Sequence, residues 1–228
     1  MNQGGRGMLL GGVPGVPGVP GVPAARVVVL GGGIVGTNAA RMAMGLEASV
    51  TVVDKSLPRL YDLDLQFGPM LNTIFATVDS IEEQVLNADL VVGAVLVPGA
   101  AAPRLVTRDM VSAMKRGSVM VDVSIDQGGC FETSKPTSHA KPTYVVDEVV
   151  HYCVTNMPGA LARTSTQGLN NATLPFVLAL ASAGYEQALK DDPDLLNGLN
   201  VCKGAVTYEA VAASHNLDHV DPLTALAQ

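Results

Sequence analysis

The 228 residues include no tryptophan, only 4% aromatic residues and only 15% charged ones. A core built on large rings is excluded. Burial must come from Val, Ala, Leu and Gly, the composition of parallel strands covered by helices on both faces. Positive charge is the scarcer sign, with 14 Lys and Arg against 21 Asp and Glu and a formal net charge of −7. Without a positive field to gather phosphate backbones or anionic lipid, nucleic acid and membrane surfaces are excluded as partners. Cysteine is limited to Cys130, Cys153 and Cys202, an odd number with no Cys-x-x-Cys pair. No disulfide framework follows, and a reducing cytoplasm fits best. The longest apolar stretches, near 88–97 and 174–183, fall short of the roughly 20 residues that cross a bilayer. The N-terminus is apolar but rich in Gly and Pro, without the helical core or cleavage site of a secretory leader. A non-secreted, cytoplasmic protein is expected.

What the sequence does have is 48% hydrophobic residues, ample for the buried core of one or two domains. Residues 1–25 contain four tandem Gly-Val-Pro triplets, 12–23. Proline at every third position forbids helix, so this segment reads as an extended or turn-rich entry to the first strand, too short for a repeat architecture. From Arg26 short apolar runs alternate with helix-like stretches, the pattern of successive β-α units. Strands are predicted over 26–30, 49–54, 73–76, 90–96 and 118–124, with further β segments at 144–146 and 149–154. Helices are predicted over 34–45, 57–67, 81–86 and 107–115. The fold expected for residues 26–162 is therefore α/β, a doubly wound parallel sheet of the Rossmann type. Beyond it, a helix over 169–183, interrupted near Pro175, and another near 208–213 leave too few strands for a second sheet.

Gly31-x-Gly33-x-x-Gly36 follows the first strand and opens a helix, and Asp54 ends the next strand 18 residues after the last glycine. Each part has a mechanical purpose. The first glycine permits a tight turn, the second lets backbone amides approach a pyrophosphate, and the third lets helix and strand pack closely. The helix N-terminus then faces negative charge. A carboxylate at the second strand end accepts from both ribose hydroxyls and repels a 2′-phosphate, which favours NAD over NADP. Lys55 beside it leaves dual cofactor use open, and the loop by itself is compatible with FAD, another nucleotide or no ligand.

Longer motifs are more specific. The runs 5–16, 36–43, 93–99 (Gly-Ala-Val-Leu-Val-Pro-Gly), 121–132 (Val-Asp-Val-Ser-Ile-Asp-Gln-Gly-Gly-Cys-Phe-Glu) and 151–160 (His-Tyr-Cys-Val-Thr-Asn-Met-Pro-Gly-Ala) closely resemble the alanine dehydrogenase family, with the transhydrogenase NAD domain a near relative. That resemblance implies that Gly31, Gly33, Ile34, Val35 and Gly36 meet the pyrophosphate, and Asp54 with Arg59 the adenosine side. Val95 and Leu96 would flank the two riboses. Val123, Ser124, Ile125 and Asp126, with Val154, Thr155, Asn156 and Met157, would line the nicotinamide end. Lys135 stands where the family often has an arginine near the cofactor, and Ala76 where many members carry a serine. The implied chemistry is reversible oxidative deamination of L-alanine to pyruvate and ammonium. In it Asp126 would orient the amine and the attacking water or exchange protons; its structural alternative is a cap on the Gly128-Gly129 turn.

The resemblance also implies a hexamer assembled through the NAD domains. It begins where the family's NAD domain begins, so the family's preceding segment, with the basic residues for the substrate carboxylate and a histidine acid/base, has no counterpart in these residues. Residues 163–228 resemble the part of the family chain that packs on that segment, the helical part of an incomplete substrate domain. Two readings stay open beside the full enzyme: a module that binds NAD without turnover, and a transhydrogenase component. None of the four histidines replaces the absent acid/base. His215 and His219 are separated by turn-like residues and make a poor metal pair, His139 reads as a solvated loop residue, and His151 as a hydrogen-bonded core residue.

Overall fold

The computed structural model describes residues 4–12, 21–97 and 101–227. Most of the Gly-Val-Pro tract (13–20) and the Pro-Gly of the 93–99 motif lie outside the described residues. The chain divides into two compact units, one of residues 1–97 with 101–157 and one of 98–100 with 158–228.

The first unit is a seven-stranded sheet in the order β3-β2-β1-β4-β5-β7-β6. Its strands are β1 (Arg26–Leu30), β2 (Ser49–Asp54), β3 (Leu71–Phe75), β4 (Leu90–Gly93), β5 (Val119–Asp122), β6 (Thr143–Val146) and β7 (Val149–Tyr152). All neighbouring pairs are parallel except β6 with β7. The helices of this unit are α1 (Ile34–Gly45), α2 (Leu57–Phe67), α3 (Val78–Asn87) and α4 (Arg108–Ala113). Strand alternation sends Val28, Leu30, Val91 and Met120 to one face, where they pack with Ile81 and Val85 of α3, Met110 and Val111 of α4, and Phe131. Val27, Val29, Val50 and Val52 go to the other face, against Ala40, Ala43 and Met44 of α1 and Leu63 of α2. Burial on both faces is why these strands read as unbroken apolar runs. Local signals set the helix starts: Ser56 accepts the Arg59 amide ahead of α2, and Thr77 with Ser80 forms a capping box on α3.

Strands expected to run on to 96, 124 and 154 stop at Gly93, Asp122 and Tyr152. Apolarity continues past the ladder, but the backbone turns away there. Ala94 still donates to Leu30 O, after which the chain leaves the sheet. At β5 the Asp122 side chain accepts the Ser124 amide and starts a 3-10 turn over Val123–Gln127.

The second unit holds α5 (Ala162–Ala183), α6 (Tyr185–Asp191), α7 (Pro193–Leu196), a hairpin of β8 (Val201–Cys202) and β9 (Ala205–Val206), α8 (Glu209–His215) and α9 (Pro222–Leu226). Its small core gathers Leu189, Cys202, Ala225 and Leu226. Contrary to the expected interruption, α5 runs through Pro175 without a break and begins seven residues before 169. The proline removes one backbone donor, and its partner carbonyl on an exposed helix is left to water.

Candidate cofactor site

In the sheet order the direction of winding reverses between β1 and β4, and in open α/β sheets ligands lie beyond the carboxyl ends of the strands at that point. The glycine loop sits there. Gly31 has a φ of +99°, and a Cβ on it would fall 2.7 Å from Ala94 O; a Cβ on Gly36 would fall 1.8 Å from Gly31 O. Both must be glycine for the loop to fold this tightly. Gly33 differs: a Cβ there meets nothing within 4 Å, so its open side faces free space. It is also the N-cap of α1, and no side chain caps that end. Ile34 is 84% exposed beside it.

Asp54 is engaged with this loop. Its Oδ2 accepts the Gly32 amide at 2.6 Å and its Oδ1 the Ser56 amide at 2.8 Å. Arg59 lies across the loop, donating from Nε to Gly32 O at 2.6 Å and from Nη2 to Thr37 Oγ1 at 2.6 Å. The Thr37 hydroxyl in turn reaches Gly33 O at 2.7 Å. A carboxylate oxygen that accepts one amide keeps lone pairs for further donors, so Asp54 can still receive hydroxyls.

The next loops are tied together in sequence. Ser124 Oγ donates to Val95 O at 2.7 Å, and the Gln127 side-chain amide pairs with both backbone groups of Val97 at 3.4 Å. Val95 and Val123–Asp126 therefore form one lining. Within it Leu96 and Asp126 are exposed, whereas the Ile125 side chain is buried, so Ile125 can meet a ligand only through its backbone. Asp126 has no hydrogen-bond partner among the described residues. The last wall, 154–157, is fastened from outside: Thr137 pairs with Cys153 and Thr155 through its backbone, and His139 Nε2 bonds Asn156 O at 3.1 Å. Val154 is buried, Thr155 and Asn156 are exposed, and Asn156 takes a left-handed φ of 51°. Lys135 lines a cleft of about 490 Å³ with Arg108, Glu132, Thr133, Val145, Val146 and Asp147.

Residues 1–209 match the family described as "Alanine dehydrogenase/PNT, C-terminal domain". The chain belongs to this family. Its alanine dehydrogenase relatives include one of Halomonas elongata, 64% identical over 219 residues, which are 96% of this chain and 57% of the relative. One of Methanococcus maripaludis is 52% identical over 225 residues, 98% of this chain and 59% of the relative. A solved L-alanine dehydrogenase superposes with a TM-score of 0.83 at 51% identity, covering 94% of this chain and 58% of that one. A transhydrogenase from Sinorhizobium meliloti gives a TM-score of 0.63 at 27% identity, covering 71% and 46%. The chain thus spans 57% to 59% of the length of the two curated relatives it matches here.

Two polar residues that hold these loops lie inside the motif runs 36–43 and 121–132, but nothing local announces what they do. Thr37 bonds Gly32 O five residues back, and Gln127 pairs with Val97 thirty residues away, a partner invisible to local pattern. Behind the last wall, His151 is fully buried, with Nδ1 on Val149 O at 3.0 Å and Nε2 on Thr133 Oγ1 at 2.8 Å. A carbonyl only accepts, so Nδ1 carries the proton and Nε2 accepts the threonine hydroxyl. Burial lowers the pKa of His151, which keeps it in that neutral form. Tyr144 stacks on its ring at 5.1 Å and donates to Thr133 O, while accepting the Lys135 amide. Burial also pushes up the thiols of Cys130 and Cys153, so neither offers a reactive thiolate.

Proposed function

We propose that this chain is the cofactor-holding half of an NAD-dependent alanine dehydrogenase. The observation that carries the reading is the pairing of an uncapped, open glycine loop with a strand-end carboxylate at the switch point of the sheet. The loop fits the cofactor on its own geometry: the side of Gly33 that a Cβ would fill is the space a pyrophosphate needs, next to the first-turn amides of a 12-residue helix. Ile34 and Val35 present those amides. Asp54 receives the adenosine ribose hydroxyls and, as an anion, opposes a 2′-phosphate, while Arg59 stiffens the loop from the adenosine side. Val95 and Leu96 flank the riboses, and Val123, Ser124 and Ile125 with Val154, Thr155, Asn156 and Met157 line the nicotinamide end.

When bound, NAD supplies the hydride acceptor for the α-carbon of L-alanine, and the imine product is hydrolysed to pyruvate and ammonium. Asp126, exposed and without a hydrogen-bond partner among the described residues, orients the amine and the attacking water or moves their proton. Titration with NADH and NADPH, followed by an assay of NADH formation from alanine, tests both parts. Tighter binding of NADH is the expected result, and equal affinity for the two would remove the Asp54 argument. A second reading, binding without turnover by these residues alone, is favoured by one observation: Asp126 has no hydrogen-bonded acid/base companion among the described residues. Tight NADH binding with no product would decide for it.

Copies of the chain assemble through the first unit in this reading. The stripe Leu57, Tyr61 and Leu65 on α2, each at least 64% exposed, is apolar surface that such contact would cover, and sedimentation checks it. A reducing cytoplasm accords with the three free, buried cysteines. No described helix is long and apolar enough to cross a membrane.

A further inference from the structure

β1 and β4 end on apolar or small residues, Leu30 and Gly93, which pair with one another, and Gly93 pairs in turn with Asp122 at the end of β5. Asp122 is an acid with no exposed surface. Burying a carboxylate is costly unless its lone pairs are taken, and here they are. Oδ1 accepts the Ser124 amide at 3.0 Å and the Cys130 thiol at 3.7 Å, and Oδ2 accepts the Cys130 amide at 2.9 Å and the Ser134 hydroxyl. All the donors come from the twelve residues that follow, so one side chain gathers the start, middle and end of a single loop.

The loop is drawn hard against this group. Gly129 has a φ of +79°, and a Cβ on it would fall 2.6 Å from Asp122 Oδ2, so only glycine can pass over the carboxylate. Gly128, at a φ of +89°, completes the reversal. On the outside of the same loop stands Asp126, exposed and without a side-chain hydrogen bond among the described residues. No described side chain holds it in position. The loop does, and the loop is fixed from beneath.

We propose that Asp122 is a positioning residue for the nicotinamide end of the site: its buried carboxylate folds loop 123–134 over itself and so sets where Asp126 and the Val123–Ile125 backbone stand. This rests on the cofactor reading above. A carboxylate is needed, because an asparagine in its place offers one oxygen and turns an N–H toward a donor it cannot bond.

The test compares two ligands on the 228-residue chain. ADP-ribose reaches the glycine loop and Asp54 but has no nicotinamide; NADH has one, and its fluorescence reports on that ring. Asp122→Asn is expected to weaken NADH about tenfold or more, with ADP-ribose held within about twofold, since one buried donor left unbonded corresponds to that scale. Ser134→Ala removes a single donor and leaves the carboxylate, and should shift the same ratio by about threefold. If Asp122→Asn does not fold, Ser134→Ala decides. Variants whose two affinities fall in step, or do not fall, overturn the inference while wild-type NADH binding keeps the cofactor reading intact. A wild-type chain that binds neither ligand overturns both.

Discussion

Gly33 and Gly36 are three residues apart on one helical turn, and replacing each by alanine should have opposite consequences. At Gly36 the new Cβ would lie 1.8 Å from Gly31 O, 2.9 Å from the Gly31 carbonyl carbon and 3.2 Å from a Val29 methyl. The obstacle is backbone, which cannot rotate away, so α1 and the strand must part by more than about 1 Å. Overpacking of this kind costs up to about 3 kcal/mol. Alanine inside a helix returns about 1 kcal/mol relative to glycine. The net loss of about 2 kcal/mol corresponds to a fall in Tm of roughly 4 to 8 °C for a chain of this size. At Gly33 the φ is −66°, open to any residue, and the Cβ meets nothing within 4 Å. Losing a glycine N-cap to alanine costs about 0.5 to 1 kcal/mol, and the smaller entropy of the unfolded chain returns a similar amount, so stability stays level. Yet that Cβ occupies the space assigned to the pyrophosphate. Thermal unfolding and NADH titration on both variants therefore separate the two glycines: Gly36→Ala lowers Tm, whereas Gly33→Ala keeps Tm and loses about tenfold or more in NADH affinity. A Gly33→Ala chain that binds NADH like the wild type would refute the placement of the phosphates.

Asp54→Asn should weaken NADH by about tenfold and narrow its advantage over NADPH, because a charged acceptor for the ribose hydroxyls becomes a neutral one; competitive titration reads both effects. Asp126→Asn should leave NADH affinity nearly unchanged and remove any turnover, since its task arises in chemistry and not in docking; a large affinity loss would make Asp126 a structural cap. His151 sets a pH dependence. Its folded pKa lies below its ordinary 6.5, so the unfolded chain takes up the proton first, and the stability present above about pH 6.5 is lost as pH falls toward the folded value. Urea unfolding between pH 8 and 5.5 should show this slope, and His151→Gln should flatten it. Because burial keeps Cys130 and Cys153 protonated, a water-soluble thiol reagent should leave both unmodified in the folded chain and label them only after denaturation.

Much of the fold is legible because its strands are buried on both faces and its helices on one. The run Val27–Leu30 can be read as a strand from apolarity and length alone, and the glycines after it announce the turn. What apolarity cannot show is where a ladder ends. Residues 94–97 are as apolar as Leu90–Gly93, but their backbone partners change from a neighbouring strand to the Ser124 and Gln127 side chains. Pro175 misleads in the other direction. A proline is a strong local signal, and α5 carries it because an exposed turn can give its unpaired carbonyl to solvent.

The candidate site divides the same way. Gly31, Gly33, Gly36 and Asp54 are legible because their purposes are local: a turn, an approach, a close packing and a strand end. Asp122 and Asp126 show the limit. They are the same residue type four positions apart in one motif, and the family resemblance, not composition or spacing, is what singles out Asp126. The last ladder pair of β5 falls at Gly93 and Asp122, so the first acid is held in the sheet with its side chain beneath the loop, while the second lies past the end of pairing and reaches the surface. A shift of that endpoint by a few residues would exchange their environments. Which carboxylate reaches the surface is thus decided by where the sheet stops, and the sheet stops where the buried acid can find its donors.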